Sequence, residues 1–311
     1  MRSDTIHSRN DIDLNNSIFS GQTFRWTNIE RDHQKYISII DGNVLIVEQE
    51  TPSSLRILSQ PVQNQNEISR DRLNDYFSLD IDPLECFPLS FRTRYPELWQ
   101  LLLPYRGIRV LRQDAFETLV TFMCAQGIGM HIIRRQIDTI CSRFGRKHTI
   151  EVNGKPVSFF SFPSAETLAG ADPAELKICT NNNCLRASNI ISAARAVSSG
   201  SLELNALADP SRNLEEIRET LCGLKGVGLK IADCVMLFGL HRFDAFPVDT
   251  HVHQYLGHWF SLPGALKSLS RKTYLTLQKE ALDILSPRYA GFAGHLLFHC
   301  WRRDIRHMTS F

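Results

Sequence analysis

The sequence has no long apolar run and no closely spaced cysteine pair. No segment reaches the ~18 to 20 apolar residues of a membrane span, and residues 1–10 lack the apolar core of a secretory signal. The 8 cysteines include no C-x2-C pair, which argues against a zinc ribbon and against an iron-sulfur cluster. We therefore expect an intracellular protein with reduced thiols, no membrane partner, no metal site and no cofactor.

The sequence also has little net charge, +2, but this charge is unevenly distributed. Residues 1–90 contain 8 Lys+Arg against 14 Asp+Glu, whereas residues 91–311 contain 27 against 19. The basic second part is compatible with a polyanionic partner, and a solvated surface of mixed charge fits equally well. With 43% hydrophobic residues, the chain is able to bury a substantial core.

The coarse pattern changes from strands to helices along the chain. Two β-rich runs, KYISII and VLIVEQ, flank Asp41-Gly42-Asn43, a strong hairpin signal. From about Asp71 onward, apolar residues recur with helical spacing, as in AFETLVTFMCAQ. The sequence predicts an α+β fold, with an antiparallel sheet domain and flanking helices in residues 1–110 and a helical domain in residues 111–311.

The stretch LKGVGLKIADCV, residues 224–235, predicts a short connection between two helices. The hairpin falls at residues 223–229, and its Gly226 and Gly228 leave backbone N–H groups unshielded on either side of Val227. Such groups bind phosphate oxygens without reading base sequence. A plain turn between helices explains the glycines equally well.

A lysine directly follows this hairpin. The positive end of the helix dipole disfavours cations in the first turn, so Lys230 requires an explanation. Lys230, Cys234 and Phe238 recur at four-residue intervals and share a helix face. Further on, in FPVDTHVHQYL, Asp249 precedes an amphipathic run as an N-cap does.

Residues 221–251 resemble the signature of the helix-hairpin-helix DNA glycosylase superfamily. In that superfamily the hairpin is followed by a catalytic lysine and, after a Pro-Val-Asp element, by a catalytic aspartate. Further segments resemble, in order, those of the 8-oxoguanine DNA glycosylases, and the resemblance covers nearly the whole chain. These segments are FSGQTFRW (19–26), YFSLDIDPL (76–84), GIRVLRQDAFETLVTFMC (107–124) and YAGFAGHLLF (289–298).

The resemblance implies a bifunctional glycosylase and lyase that acts on double-stranded DNA as a monomer, without a cofactor. Lys230 would attack the anomeric carbon, expel the oxidised purine, 8-oxoguanine, and form a Schiff base, after which β-elimination cuts the strand. Asp249 would stabilise the positive charge that develops on the sugar. The resemblance also implies an intracellular, DNA-associated protein, which in a bacterium would lie in the cytoplasm or nucleoid.

The resemblance further implies a pocket for the extruded base. The carbonyl of Gly21 would accept from the N7–H of 8-oxoguanine, and Cys234 and Phe298 would enclose the base from either side. Two positions depart from the family. Gly294 stands where a glutamine reads the Watson–Crick edge, and Phe238 stands where methionine is common; recognition would then use His295 or a water molecule.

Other residues match the family's DNA contacts. Arg186 would probe the space left by the flipped nucleotide, Leu185 would insert as an apolar wedge, and His251 would contact a phosphate beside the lesion. Where the family has an asparagine run that contacts the orphaned cytosine, this chain has AQGIG, residues 125–129. We therefore expect a weakened preference for cytosine opposite the lesion.

Two other functions remain open at this point. A non-catalytic damage-binding protein would use the hairpin for phosphate contacts alone, and a glycosylase for an alkylated base would use the same chemistry on another lesion. The presence of both Lys230 and Asp249 favours an enzyme. Borohydride trapping separates enzyme from binding protein, and a panel of lesions separates the two enzymes.

Overall fold

The first part of the chain forms a five-stranded antiparallel sheet with strand order β1-β5-β4-β3-β2. The computed structural model describes residues 1–30, 34–62, 65–152 and 154–308. The strands of this sheet are β1 (Arg2–His7), β2 (Thr27–Glu30), β3 (Lys35–Ile40), β4 (Asn43–Thr51) and β5 (Ser54–Pro61).

The turn between β3 and β4 lies where the sequence predicts it. Ile40 pairs with Asn43 across the turn. Asp41 and Gly42 both have positive φ angles, 47° and 67°, as the two central residues of a tight hairpin turn require. The predicted hairpin and the predicted α+β class are both confirmed.

The sheet is covered on both faces, which explains why β4 lacks a polar and apolar alternation. Leu45 and Val47 point to the core formed with Trp26 and Tyr76, whereas Val44 and Ile46 belong to a second cluster. That second cluster includes Ile150 of a two-stranded antiparallel sheet, β6 (Lys147–Val152) and β7 (Lys155–Phe160). The sequence analysis did not predict this small sheet inside the helical part.

The remainder of the described chain is mostly helical. Its largest hydrophobic cluster extends from Phe24 to Trp301 and joins helices that are distant in sequence. The helices are α1 (Leu14–Ile18), α2 (Arg70–Tyr76), α3 (Leu89–Arg94), α4 (Pro96–Leu102), α5 (Ala115–Cys124), α6 (Met130–Phe144), α7 (Ala165–Ala169), α8 (Pro173–Cys179), α9 (Cys184–Ser198), α10 (Leu204–Leu207), α11 (Leu214–Cys222), α12 (Leu229–Cys234), α13 (Thr250–Phe260), α14 (Arg271–Leu282) and α15 (Ala290–Cys300).

Short helical turns extend or connect these helices. A wide π-type turn, Val235–Gly239, continues α12, and a second one, Trp301–Ile305, continues α15. Single 3-10 turns lie at Leu103–Tyr105, Pro263–Leu266 and Pro287–Tyr289. None of the described helices is long and apolar enough to cross a membrane.

The helical hairpin consists of α11 and α12, joined by residues 223–228. Gly226 has φ +83°, and a Cβ atom built there would lie 2.5 Å from the side-chain nitrogen of Asn189 on α9. Only glycine meets both conditions at no cost, because the left-handed region is unfavourable for other residues and the space is occupied. The turn therefore packs closely against α9.

Candidate active site

A cavity of ≈ 200 Å³ lies where α5, α6, α12, α13, α15 and the loop that precedes Phe24 meet. Its lining is mainly apolar and aromatic, with a small number of polar groups, as is usual for a site that encloses a flat organic ligand. Nine of the residues singled out in the sequence lie on its wall: Gly21, Lys230, Cys234, Phe238, Asp249, His251, Gly294, His295 and Phe298. The structure thus brings together residues separated by up to 277 positions in the chain.

Lys230 lies on the first turn of α12, and its amine reaches into this cavity. The ammonium nitrogen is 4.8 Å from the centroid of the Phe122 ring, a cation–π distance. Within the described ranges Lys230 makes no ion pair with a carboxylate, so nothing covers the amine with a permanent counter-charge.

Cys234 is buried, and its thiol is poorly suited to act as a nucleophile. Burial raises the pKa of this thiol to about 12, although the nearby Lys230 acts in the opposite direction. A thiol with such a pKa is almost entirely protonated at neutral pH, and the thiolate is the reactive form. The amine of Lys230 is the other group beside the aromatic wall whose chemical type can act as a nucleophile.

Asp249 is the N-cap of α13, as its position in the sequence predicts. Its Oδ1 accepts a hydrogen bond of 2.9 Å from the backbone N–H of Val252. Its Oδ2 makes no hydrogen bond within the described part of the chain, and the residue lines the cavity. One carboxylate oxygen thus holds the helix while the other is available to a ligand.

The inner wall is a series of aromatic rings. Phe122 and Phe238 are stacked, with centroids 5.5 Å apart and planes 12° apart. His295 contacts the edge of Phe238 at 5.4 Å and is nearly parallel to Phe298 at 6.0 Å. Flat, apolar faces of this kind suit an unstacked nucleobase, which loses its stacking partners when it leaves the duplex.

His295 is neutral and is held by Ser20. Burial lowers the pKa of its imidazole to about 3. Its Nε2 lies 2.8 Å from the hydroxyl of Ser20, which also lies 3.0 Å from the carbonyl of Ser17. This hydroxyl thus fixes the orientation of the imidazole ring on the cavity wall.

Gly294 leaves no room for any side chain. A Cβ atom at this position would lie 2.5 Å from Cε2 of Phe246, so the phenylalanine ring fills the space where the family has a glutamine. Phe246 also lines the cavity. The wall that the sequence analysis expected to lose a polar group thus presents an apolar ring instead.

Sequence reasoning missed Met130 and Arg302, which close the side of the cavity next to Gly21. The Met130 methyl group would lie 2.3 Å from a Cβ atom at Gly21. Arg302 is buried, donates from Nη1 to the sulfur of Met130, and lies 5.5 Å from the centroid of Phe298. Little in the sequence points to Arg302, because arginines are common and the π-type turn after α15 at this position follows no simple sequence pattern.

His251 lies in the first turn of α13, near Phe298, with ring centroids 5.9 Å apart. Burial lowers the pKa of its imidazole, the charge of Asp249 opposes this shift, and Arg302 adds to it. The Nδ1 atom is buried and has no hydrogen-bond partner in the described chain. A buried, unpaired ring nitrogen at the mouth of a cavity is costly, and this favours a ligand that completes it.

The hairpin presents two free backbone N–H groups. The amides of Gly226 and Gly228 donate to no other group in the described ranges, whereas the amide of Val227 donates to the carbonyl of Leu224. The side chain of Val227 is buried in the core. The hairpin can therefore donate to an anion from the glycines, while Val227 anchors it from behind.

The loop at residues 125–129 joins this hairpin to α9. Gln126 donates from Nε2 to the carbonyl of Gly226 at 2.6 Å. The carbonyl of Gln126 accepts from Nη2 of Arg186 at 3.0 Å, and Arg186 is itself buried. Leu185, in contrast, is 72% exposed at the start of α9 and is free to insert into a partner.

Within the residues that the structure describes, no group of three His, Cys, Asp or Glu side chains converges to hold a metal ion. The eight cysteines are all free thiols, and six of them are buried. The polar groups on the cavity wall are an amine, a carboxylate, two neutral imidazoles and a guanidinium. This donor set points to acid–base and nucleophilic chemistry on an organic substrate.

The comparisons with known proteins identify the class. Residues 5–119 match the N-terminal domain of 8-oxoguanine DNA glycosylase, and residues 120–280 match the HhH-GPD superfamily of base excision DNA repair proteins. The chain belongs to this superfamily, and its helix-hairpin-helix is the feature for which the superfamily is named. It is a DNA glycosylase and lyase of the 8-oxoguanine glycosylase type.

Individual relatives agree with this assignment. The N-glycosylase/DNA lyase of Saccharomyces cerevisiae is 30% identical over 259 residues, 79% of this chain and 67% of the relative. The N-glycosylase/DNA lyase OGG1 of Arabidopsis thaliana is 28% identical over 280 residues, 90% of this chain and 74% of the relative. A similar solved structure is the 8-oxoguanine glycosylase/lyase of Clostridium acetobutylicum in complex with double-stranded DNA that has cytosine opposite 8-oxoG. The two structures match with a TM-score of 0.77 and 26% identity, over 98% of this chain and 100% of that one.

Proposed function

We propose that this enzyme extrudes 8-oxoguanine from double-stranded DNA, removes it with Lys230 as the nucleophile, and then cuts the strand at the resulting site. The observation that carries the proposal is the meeting of Lys230 and Asp249 on the wall of one aromatic cavity. The amine supplies the nucleophile, and the carboxylate supplies the negative charge that stabilises a positively charged sugar during glycosyl transfer.

The first step exchanges one C–N bond for another. The lone pair of the Lys230 amine attacks C1′ of the deoxyribose, the bond between C1′ and the base breaks, and the base leaves with the bonding electrons. Positive charge develops on the sugar in between, and the free Oδ2 of Asp249 stabilises it. Because the nucleophile needs a lone pair, the amine attacks in its neutral form, and the proton that its nitrogen loses once the new bond has formed neutralises the departing base.

The second step is the lyase reaction. Opening of the sugar ring converts the C1′ adduct with Lys230 into a Schiff base, whose positive nitrogen withdraws electrons from C2′. Loss of a proton from C2′ then expels the 3′ phosphate, and the strand is cut by β-elimination. Hydrolysis of the remaining Schiff base returns the free lysine.

The base would lie against Phe298, with Cys234 on the other side and the carbonyl of Gly21 at its edge. Burial supports this arrangement, because Cys234 and Phe238 are almost fully enclosed and the cavity wall is apolar. The backbone N–H groups of Gly226 and Gly228 would bind the phosphates beside the lesion, and Leu185 would fill the gap in the duplex. We expect the protein to act as a monomer without a cofactor.

A panel of single lesions tests the proposal. Duplexes that differ only in one base, 8-oxoguanine, 3-methyladenine or undamaged guanine, are incubated with excess enzyme, and base release and strand cleavage are followed separately. We expect rapid release of 8-oxoguanine followed by cleavage. Release of 3-methyladenine alone would show that the substrate is an alkylated base and not an oxidised purine. Tight binding without release of any base would show a damage-binding protein that is not an enzyme.

A further inference from the structure

A buried aspartate lies directly behind the nucleophile. Asp233 follows Lys230 by three residues on α12 and is 0% exposed. It accepts hydrogen bonds from Nε of Arg218 on α11 at 2.9 Å and from Nε2 of Gln278 on α14 at 2.7 Å, and it also accepts one from the hydroxyl of Tyr274. The base-release chemistry described above does not use this carboxylate.

The partners of Asp233 extend to the segment that carries the second catalytic group. The hydroxyl of Tyr274 accepts a hydrogen bond of 3.1 Å from the backbone N–H of Val248. Nε2 of Gln278 donates its other hydrogen to the carbonyl of Phe246 at 2.6 Å. Tyr274 and Gln278 each therefore hydrogen-bond both to Asp233 and to the backbone just before Asp249.

Those side chains add two hydrogen bonds to this segment. Residues 245–249 belong to no helix or strand, although the N–H of Ala245 donates to the carbonyl of Arg242 and the carbonyl of Asp249 accepts from the N–H of His253. Pro247 has no N–H to donate. The carbonyl before Pro247 and the N–H after it are the two groups that Gln278 and Tyr274 hold, and Asp249 follows at once.

Burying the charges of Asp233 and Arg218 has a free-energy cost in folding. Removing a carboxylate and a guanidinium from water costs several kcal/mol per ion, and well-packed apolar residues are often no less stable at such a position. The network is nevertheless complete, since both oxygens of Asp233 and both hydrogens of the Gln278 amide have partners. Complete polar networks of this kind fix one geometry rather than add stability.

We propose that Asp233 and Tyr274 are positioning residues that hold the carboxylate of Asp249 at a fixed place relative to the amine of Lys230. The inference rests on the proposed function, in which these two groups act on one sugar. Asp233 shares a helix with the amine, and Tyr274 transmits its position to the backbone before the carboxylate. Arg218 links Asp233 to α11, the first helix of the hairpin. The DNA-binding hairpin and the catalytic pair are therefore connected to the same carboxylate.

The test compares two tyrosine-to-phenylalanine variants that each leave one buried N–H without an acceptor. Tyr274→Phe does this to the backbone N–H of Val248 and also removes a hydrogen bond to Asp233, whereas Tyr76→Phe does it to the indole N–H of Trp26, 3.1 Å from the Tyr76 hydroxyl in the sheet core. We expect the melting temperature to fall in both variants, and further in Tyr274→Phe. Single-turnover excision of 8-oxoguanine should fall about 10- to 100-fold in Tyr274→Phe alone, since small misplacements of catalytic groups have effects of that size.

A double-mutant cycle separates positioning from general damage. If Tyr274 acts through Asp249, adding Tyr274→Phe to Asp249→Asn should lower the excision rate little further, because the group being positioned is already gone. Full additivity, or equal rates for Tyr274→Phe and Tyr76→Phe, would overturn the proposal. Gln278→Met, which releases the carbonyl of Phe246, replaces Tyr274→Phe if that variant does not fold.

A failure of the proposed substrate gives a different result. In that case the wild-type enzyme itself does not release 8-oxoguanine. The positioning proposal, in contrast, concerns the ratio of the reaction rates of Tyr274→Phe and Tyr76→Phe. The same ratio is then measured on a duplex with a preformed abasic site, by the rate of borohydride-trappable Schiff base formation. Tyr274→Phe should be slower than Tyr76→Phe there too, and equal rates would contradict the positioning role.

Discussion

Asp249 accepts a hydrogen bond from the backbone N–H of Val252 through Oδ1, and the same residue lines the cavity that Lys230 also lines. The same side chain is thus a helix cap and a candidate catalyst. The two roles are separable, because asparagine caps a helix about as well as aspartate but has no negative charge.

Replacing Asp249 by asparagine should therefore affect rate and not stability. We expect Asp249→Asn to unfold within about 0.5 kcal/mol of the wild type, and excision to slow by a factor of 100 or more, ~3 kcal/mol of transition-state stabilisation. Urea unfolding and single-turnover kinetics measure the two quantities. An unchanged excision rate would leave Asp249 as a helix cap only.

Gly228 allows a test of the phosphate contacts that leaves the fold intact. A Cβ atom built there meets nothing within 4 Å and its φ of −101° suits any residue, whereas a Cβ at Gly226 collides with Asn189. Gly228→Ala should keep the wild-type melting temperature and weaken binding to damaged and undamaged duplexes by the same factor. Loss restricted to lesion-containing DNA would show that the hairpin does more than hold the backbone.

Salt dependence gives an independent measure of the same contacts. Each phosphate that the protein neutralises releases counterions, so log K falls linearly with log salt concentration. We expect the wild-type affinity for an undamaged duplex to fall steeply between 50 and 200 mM salt. Affinity that does not change with salt would exclude a backbone-dominated grip.

The loop at residues 125–129 predicts a weak preference for the base opposite the lesion. The side chain of Gln126 donates to the carbonyl of Gly226, and the side chain of Arg186 donates to the backbone carbonyl of Gln126. Both side chains are thus engaged within the protein rather than held for the orphaned base. Each good base contact is typically worth about 1 to 3 kcal/mol of discrimination. Excision of 8-oxoguanine opposite cytosine, adenine, guanine and thymine should accordingly differ by less than about tenfold.

Four duplexes that differ only in that opposing base provide the measurement. A preference for cytosine of a hundredfold, about 2.7 kcal/mol, would mean that Gln126 or Arg186 changes partners on binding DNA and reads the orphaned base after all.

Two buried histidines predict how stability changes with pH. Burial lowers the pKa of His295 to about 3 and of His299 to about 4, against about 6.5 in an unfolded chain. The unfolded state therefore binds more protons, and stability falls as the pH drops below about 6.5. At pH 5 each histidine should cost about 2 kcal/mol relative to neutral pH.

His299→Phe isolates one of these contributions. Nε2 of His299 is buried and has no partner in the described chain, so a phenylalanine ring loses no hydrogen bond there. Urea unfolding at pH 7 and pH 5 should show a loss in the variant that is about 2 kcal/mol smaller than in the wild type. Equal losses in the two proteins would mean that His299 is protonated in the folded state.

The sequence predicted the features that depend on local pattern. The Asp41-Gly42 turn, the short connection after α11 and the cap at Asp249 all follow from residue types at fixed offsets. The grouping of Gly21, Lys230 and Phe298 on one wall came from the resemblance, since no periodicity relates residues so far apart.

What the sequence did not predict has two different causes. The β6–β7 hairpin had a signal, Asn-Gly within VNGK at residues 152–155, that was overlooked because helices dominate its surroundings. The contacts of Arg302 with Met130 and of Asp233 with Gln278 had none. They join side chains 172 and 45 residues apart, and only tertiary packing determines which distant polar groups meet.

In the proposed mechanism the amine of Lys230 attacks the sugar, and trapping with borohydride detects the product of that attack. Borohydride reduces the Schiff base and joins enzyme and DNA covalently. Wild-type protein on a duplex with 8-oxoguanine should give a covalent complex of one protein and one cut strand, and Lys230→Gln should give none while binding the same duplex. A covalent complex that persists in Lys230→Gln would show that another residue is the nucleophile.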